Sequence, residues 1–308
     1  MANVTIKAEV IAAGAALALE QAVSLAGTAL TYRGITKDDF VGAKDDTYSL
    51  WLPAVLDADA VALRSADPVA FDEIEETKVD IVLDTWLRKG LKATTAELTL
   101  DIKPFMQRFV IPAMKSVAAL ADQKVADEFN AATPNETLDY TPGTTDPWEA
   151  ALDAQEVLDG SNVDVGGRYI LVGRSTKTDI LKSKRFTAEI GGDAPATAAT
   201  RQALIGEFAG LSVYSSNRLD PNAFFVGQQM AIATVFAAPD PIQGLPVSVV
   251  TSQNGIPVRY SQAGDINYMS DKLVVDTFFG GASVEQEIGG VTKNYRLVRV
   301  GTFGSEES

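Results

Sequence analysis

A helical hydrophobic repeat running from about Pro104 to Ala132 constrains this chain more than any other feature. Phe105, Phe109, Met114, Val117, Leu120, Ala121, Val125 and Phe129 recur mostly at steps of three and four, which draws one apolar stripe along a helix. Pro104 suits a first-turn position, where its missing N–H is not needed. Pro112 is expected to kink the helix or restart it. At roughly 1.5 Å of rise per residue the helix would be on the order of 40 Å long. That is well beyond the mean helix of a compact domain, about 11–12 residues. Such a helix serves as a spine on which other elements lie.

Upstream, Tyr48-Ser49-Leu50-Trp51-Leu52 and the run from Val79 to Asp84 alternate apolar and polar residues, the pattern of half-buried strands. Between them lies an acidic stretch, Asp57 to Glu76, containing Asp67-Pro68 and Asp72-Glu73-Ile74-Glu75-Glu76. The two strands predict an extended hairpin with a long charged excursion. Two strands alone are marginal in water, so the face carrying Val79, Ile81 and Leu83 needs an apolar cover, which we expect from neighbouring subunits. The first forty residues form a leader of small and apolar side chains, partly helical between Ala12 and Leu25 and ending near Gly27.

Downstream the pattern is α+β. Asn135 to Pro147 is turn-rich and ends in Asp146-Pro147, an N-cap followed by a proline at the first helical position. A helix from Trp148 to Leu158, a strand from Arg168 to Val172 and a short helix from Lys177 to Lys182 follow. Ile190 to Ala199 reads as a loop. Leu211–Ser215 and Phe224–Gly227 read as strands, and Gln229 to Ala237 as an apolar helix. Val247–Val250, Ile256–Tyr260, Lys272–Phe279 and Tyr295–Val300 then alternate like strands.

Composition removes most enzyme chemistry. The 308 residues include no histidine and no cysteine, with 26 basic against 41 acidic side chains and a net charge of −15. Ser-His-Asp triads, cysteine nucleophiles, zinc sites of imidazole or thiolate and disulfides are therefore excluded. Any metal would be a hard cation held by oxygens, and no cofactor is expected. No apolar run reaches the roughly 18 residues of a membrane span. The acidic balance argues against a protein that grips nucleic acid, though not against one that encloses it.

The motifs with residue types suited to chemistry have plainer readings. Asp57-Ala58-Asp59 lacks an accompanying phosphate site, and the run Asp72 to Glu76 has nothing placing two carboxylates across a cleft. Asp159-Gly-Ser-Asn-Val-Asp164 resembles a calcium loop but has Val163 at its fifth position and no glutamate at its twelfth. Gly173-Arg-Ser-Thr-Lys177 lacks the glycine spacing of a phosphate loop and reads as a helix start capped by Ser175 or Thr176. The basic cluster Lys177, Lys182, Lys184 and Arg185 reads as a solvated helix end. No catalytic residue and no metal site is assigned, and the chain is not expected to be an enzyme.

Leader arm, acidic hairpin, spine helix, α+β region and returning strands occur in an order that resembles the major capsid protein of tailed bacteriophages, the Hong Kong 97 fold. The local text agrees in several places. Phe40-Val-Gly-Ala-Lys-Asp-Asp-Thr-Tyr-Ser-Leu-Trp-Leu-Pro53 resembles that family's entry into the hairpin. Phe109-Val-Ile-Pro-Ala-Met-Lys-Ser-Val-Ala-Ala-Leu-Ala-Asp122 resembles its spine helix. Arg168-Tyr-Ile-Leu-Val172, Gly255-Ile-Pro-Val-Arg259 and the stretch Ile205 to Asn217, with its Gly-x-x-Val-Tyr-x-Ser-Asn phrase, resemble landmarks of its central domain.

The resemblance implies an N-terminal arm (1–45), an extended hairpin loop (46–95), a spine helix of a peripheral domain (96–134), a central axial domain (135–265) and returning peripheral strands (266–308). It implies a viral coat protein that self-assembles into hexamers and pentamers of an icosahedral shell around a double-stranded DNA genome, with no membrane involved. Such a shell is the virion capsid, assembled in the host cytoplasm, and the hairpin clasps an adjacent subunit. Pro221 to Ala238 and the loop Ile190 to Ala199 would lie near the capsomer axes. A separate scaffold protein is expected if any is needed, because the sequence from Met1 has no long polar helical prefix. A portal and a decoration protein are further expected partners. Arg108 and Lys115 share a face of the spine helix and would pair with Asp72, Glu73 or Glu75 across a subunit boundary. A Lys–Asn cross-link between Lys78, Lys89 or Lys92 and Asn294 is not expected, since no matching motif is present. An encapsulin-type compartment shell is the alternative with the same architecture, and a carboxylate-dependent hydrolase the alternative from another class.

Overall fold

The computed structural model describes residues 13–15, 25, 28–32, 46–52, 77–94, 110–183, 206–253, 256–265, 270–288 and 290–301. The first strands are β1 (Leu30–Tyr32), β2 (Thr47–Leu52), β3 (Thr77–Val82) and β4 (Thr85–Thr94). Helix α1 (Ile111–Ala131), β5 (Pro134–Leu138), α2 (Pro147–Gly160), β6 (Arg168–Val172) and α3 (Arg174–Lys182) follow. Then come β7 (Glu207–Phe208), β8 (Leu211–Ser215), β9 (Phe224–Gln228), a 3₁₀ turn (Gln229–Ala231) and β10 (Ile232–Ala237). The chain closes with β11 (Val247–Gln253), β12 (Ile256–Asp265), β13 (Ser270–Ser283), β14 (Gln286–Ile288) and β15 (Val291–Val300).

These strands make two larger sheets and a hairpin. The first sheet runs β1-β10-β13-β12-β11, with β4 also on β13. The second runs β14-β15-β9-β6-β8-β7, with β5 also on β15. Strand β13 organises the first sheet: Ser270–Phe279 pair antiparallel with β4, and Phe278–Ser283 pair antiparallel with β10. The hairpin pairs β2 with β3 antiparallel, Leu50 opposite Val79 and Tyr48 opposite Ile81.

Helix α1 is the expected spine, its described part lying within the predicted span. Its buried stripe is Ala113, Met114, Val117, Ala118, Ala121, Val125, Ala126 and Phe129, while Leu120 is 45% exposed and faces away from it. The stripe belongs to one core with Leu87, Leu273, Val275 and Phe279 of the first sheet and Tyr169, Leu171, Phe225 and Leu297 of the second. Phe129 packs against Phe225 in a tilted arrangement with ring centroids 5.7 Å apart. Burying each such large apolar side chain contributes about 1.5–3 kcal/mol, so this helix ties both sheets together. The described leader residues Ala15, Leu25 and Ala29 are buried in the same core, and the Leu25 N–H donates to Asp122 Oδ1 at 2.9 Å.

The hairpin lies on the opposite face of the first sheet. Side chains of a strand alternate between faces: Ile232 and Phe236 of β10 enter the spine-helix core, whereas Ala233 and Val235 meet Leu50, Leu52, Val79, Ile81 and Val284. The first sheet is thus the middle layer between spine helix and hairpin. The second sheet is covered on its other face by α2 and α3, through Ala151, Ala154, Leu158 and Ile180 against Ile170, Val172, Phe224, Val226, Val298 and Val300.

Several expectations change. Gln229–Ala237 is a single 3₁₀ turn followed by a strand, not a helix. Both of its faces are covered, so an unbroken apolar run replaced the alternation that marks a half-buried strand. Strand β4, which falls in the expected hairpin loop (46–95), had no strand expectation; Arg88, Lys89 and Lys92 interrupt the apolar alternation there. Strand β5 lies in the expected turn-rich break, with Pro134 at its first position, where a missing N–H is tolerated. The expected division at 265/266 falls inside the first sheet, between the paired strands β12 and β13, and β15 lies in the second sheet. Long-range strand pairing decides sheet membership, and local pattern does not carry it. Pro221–Ala238 is core for most of its length, buried throughout Phe224–Gln228 and Ile232–Ala237.

Candidate assembly surfaces

The exposed side of the spine helix carries Lys115, which is solvent-accessible. Lys115 lines an open cleft of about 690 Å³ with Ala119, Asp122 and the turn Ser215, Ser216, Asn217 and Arg218. Two cations of different elements therefore face one polar groove. Arg108, Asp72, Glu73 and Glu75 lie outside the described residues, as do Asp57, Asp59 and the loop 190–199.

Val79 and Ile81 are 9% and 0% exposed within the single chain, and Leu83 is half-buried against the same cluster. Their alternation is as expected, but their cover is not a neighbouring subunit. The chain's own sheet face, through Ala233, Val235 and Val284, supplies it. The hairpin's outward face is polar: Ser49 Oγ donates to Asp80 Oδ1 at 2.8 Å, and Lys78 Nζ to Asp80 Oδ2 at 3.1 Å. The hydrogen bond from Lys78, then that from Ser49, holds the Asp80 carboxyl below the usual carboxylate range. Trp51, 58% exposed, also lies on this face.

Beyond the hairpin the same face of the first sheet is open. Trp86 and Arg88 of β4, Val274 of β13, and Ile242 and Leu245 of the β10–β11 connection wall a cavity of about 510 Å³. Arg88 sits over the Trp86 ring at 4.6 Å, a cation–π contact. The floor is a buried ion pair: Arg259 Nε donates to Asp276 Oδ1 at 3.0 Å, and Nη2 to Oδ2. Trp86 Nε1 also donates to Asp276 Oδ2, at 2.9 Å, and Arg259 Nη1 to the Asp240 carbonyl at 2.6 Å. Sequence reading missed this network, since Arg259 and Asp276 are neighbours only through the β12–β13 register.

The motifs weighed for chemistry are occupied by structure where they are described. Asp159 pairs with Arg168 Nη1 at 2.7 Å, and Asp164 Oδ1 accepts from the Gly166 N–H, so the calcium-like stretch is a turn. At the start of α3 the N–H groups of Ser175 and Thr176 both donate to the Pro221 carbonyl, where an anion would have to sit. Gly173 is the N-cap and no side chain caps this helix, which corrects the expected Ser175 or Thr176 cap. Asp146 does cap α2, accepting from the Trp148 N–H at 3.0 Å. Asn294 is fully buried, its amide donating to the Ala231 carbonyl at 2.7 Å and Ser283 Oγ at 3.0 Å. Among the described residues no group of three or more acidic side chains is placed to hold a metal. No described helix is long and apolar enough to cross a membrane.

Comparison with known proteins follows the same line. The sequence model of the family described as "Phage capsid protein" matches residues 93–271. The chain belongs to that family. Its fold is similar to that of a Mycobacterium phage Che8 structure, at a TM-score of 0.61 and 17% identity, covering 91% of this chain and 92% of the other. A capsid structure of cyanophage P-SCSP1u matches at 0.59 and 13% identity, covering 90% and 87%. A virus-like particle from Pyrococcus furiosus matches at 0.55 and 12% identity, covering 95% and 98%. At these identities the structural likeness is one of fold. No curated protein sequence matches significantly. The phage capsid family assigns the chain a structural role as a major capsid protein in a multimeric shell, and the shared fold is of the Hong Kong 97 type. Neither the compartment shell nor the hydrolase is favoured by that match.

Proposed function

We propose that this phage capsid protein assembles as hexamers and pentamers of an icosahedral shell that encloses double-stranded DNA without binding it sequence-specifically. The match of residues 93–271 to the capsid family carries this reading. The net charge of −15 supports it, because a wall that is not basic leaves packed DNA free to slide, whereas a basic wall would hold it in a salt-dependent grip. The chain has no enzymatic role in this reading. Assembly takes place in the host cytoplasm, with any scaffold, portal and decoration protein contributed by separate chains. The peripheral body is the first sheet with the spine helix, and the axial body is the second sheet with α2 and α3.

Subunit contact is proposed at the exposed face of the spine helix. Lys115, together with Arg108, pairs with Asp72, Glu73 or Glu75 of a neighbouring copy. The position of Lys115 in an open cleft beside Arg218 supports this. Obligate interfaces of this kind bury roughly 2,000–5,000 Å². Light scattering and negative-stain imaging of the purified chain test the assembly, with closed megadalton particles expected; a monomer or small oligomer under all assembly conditions overturns it. Nuclease-protected DNA in particles from the infected host separates genome enclosure from an enzyme cargo. Reversing Arg108 and Lys115 to glutamate is expected to lower shell yield at low salt, and an unchanged yield removes the pairing.

A further inference from the structure

Helices α2 and α3 cover the same face of the second sheet, and their outward sides carry opposite charge. Helix α2 holds Glu149, Asp153, Glu156 and Asp159 and no basic residue. All four acids are exposed, and Leu152, 43% exposed, lies among them. Helix α3 holds Arg174, Lys177 and Lys182, of which Arg174 and Lys182 are exposed and Lys177 is half-buried. Its one acid is turned inward: Asp179 Oδ2 accepts from Tyr140 Oη at 2.5 Å and from the Gly143 N–H at 3.0 Å. Asp159 is engaged by Arg168. The side chains of Asp153, Glu156, Arg174, Lys177 and Lys182 have no hydrogen-bond or ion-pair partner among the described residues.

Both helices are charged against their own local preferences. Residues three and four apart are neighbours on a helix surface, so Glu149, Asp153, Glu156 and Asp159 repel one another in succession. Glu156 and Asp159 also stand toward the negative, C-terminal end of α2, whose last turn has no basic residue. On α3 the mismatch is reversed. Arg174 and Lys177 stand at the positive, N-terminal end, with no acid in the first turn and no side-chain cap. Each helix presents the charge that the other lacks, yet among the described residues no ion pair joins them within one chain. A second copy can supply what the chain does not supply to itself.

We propose that α2 of one copy docks on α3 of the next, with Asp153 and Glu156 facing Arg174, Lys177 and Lys182 around Leu152. The inference rests on the capsomer reading above and names a contact within it. An apolar centre with a charged rim is the usual anatomy of such a contact, and the opposite charges select partner and register. Because the two faces differ, the contact is head-to-tail. Each copy gives its α2 to one neighbour and its α3 to the other, and repetition closes a ring.

Charge reversal in the full-length chain tests this. One variant carries Asp153→Lys and Glu156→Lys, the other Arg174→Glu and Lys177→Glu. Neither works against the helix dipoles, so thermal melting of the dissociated chains by circular dichroism should match or exceed wild type. Shell yield at low salt, read by negative stain, is expected to fall on the order of tenfold or more for each variant. All four reversals in one chain restore the pairing with its signs exchanged, and near-wild-type yield is expected. Co-expressing the two variants lets only unlike copies meet, which closes a ring of six and not of five; native mass spectrometry should show that bias. The proposal is overturned if either variant assembles like wild type, if the fourfold variant does not recover, or if the mixture forms both rings alike. A variant that fails to fold also overturns it, since its side chains would then serve their own chain. A wild-type chain that forms no capsomers sinks the capsomer reading and this contact together, whereas wild-type capsomers beside unaffected variants sink the contact alone.

Discussion

Replacing Arg259 by methionine keeps most of the side-chain stem and removes the guanidinium, and it is expected to cost about 3–5 kcal/mol of folding stability. The magnitude follows from what is left behind. Asp276 is 0% exposed and Arg259 7%, so the pair is largely shielded from water. Arg259→Met deletes both bonds to the Asp276 carboxylate and the bond to the Asp240 carbonyl, leaving Trp86 Nε1 as the remaining side-chain donor to Asp276. Charged hydrogen bonds are worth about 1.5–3 kcal/mol each, but their sum is not reached, because the cavity above the pair can bring water to the stranded carboxylate. At about 2–4 °C per kcal/mol for a chain of moderate size, the melting temperature should fall by roughly 6–20 °C. The double variant Arg259→Met with Asp276→Leu removes both charges and is expected to recover most of the loss, with a coupling of about 2–3 kcal/mol. Trp86 is 46% exposed, so its N–H can turn to water in the double variant. Thermal and urea unfolding followed by circular dichroism and tryptophan fluorescence would read all four corners of the cycle. A single-variant loss below about 1 kcal/mol, or a double variant no better than the sum of the singles, refutes the reasoning.

Gly280→Val is expected to cost about 3 kcal/mol, because its Cβ meets the backbone of Val82 at 2.5 and 3.0 Å and backbone cannot move aside as a side chain does. Urea unfolding checks this, with Gly160→Ala, which has no atom within 4 Å of the new Cβ, as a near-neutral control. Asp146→Ala removes the α2 cap bond at 3.0 Å and should lower stability by about 1 kcal/mol, measurable as a shift in the urea midpoint. Phe129→Ala empties the point where the spine helix meets both sheets and should cost about 3–5 kcal/mol, enough to lower the yield of folded chain on expression.

Legibility in the sequence followed the range of each interaction. The spine helix, the hairpin strands and the Asp146 cap are local periodic or positional signals, and all three stand in the structure. The buried run 232–237 was misread because burial on both faces erases the period that separates strand from helix. Strand β4 was missed because three of its residues, Arg88, Lys89 and Lys92, are charged; only pairing with β13 makes it a strand. At the candidate surface, the helical period alone places Lys115 on the exposed side of the helix, where it lies in the structure. The Arg259–Asp276–Trp86 network gave no signal, since its members are brought together by a register far apart in the chain.

The sequence by itself narrowed the chemistry and marked the local elements. Absence of histidine and cysteine removes triads, cysteine nucleophiles and imidazole or thiolate zinc sites, because these depend on residue type, and the spine helix is written in a local period. Tertiary structure alone decided what covers the hairpin. The alternation of Val79, Ile81 and Leu83 states that one face must be apolar-covered, and it is equally satisfied by a neighbour or by the chain itself. The structure places Ala233 and Val235 there, because β10 is a two-faced strand whose odd-numbered residues turn away from the spine helix. A periodic pattern specifies that a surface is buried, and only the long-range fold specifies against what.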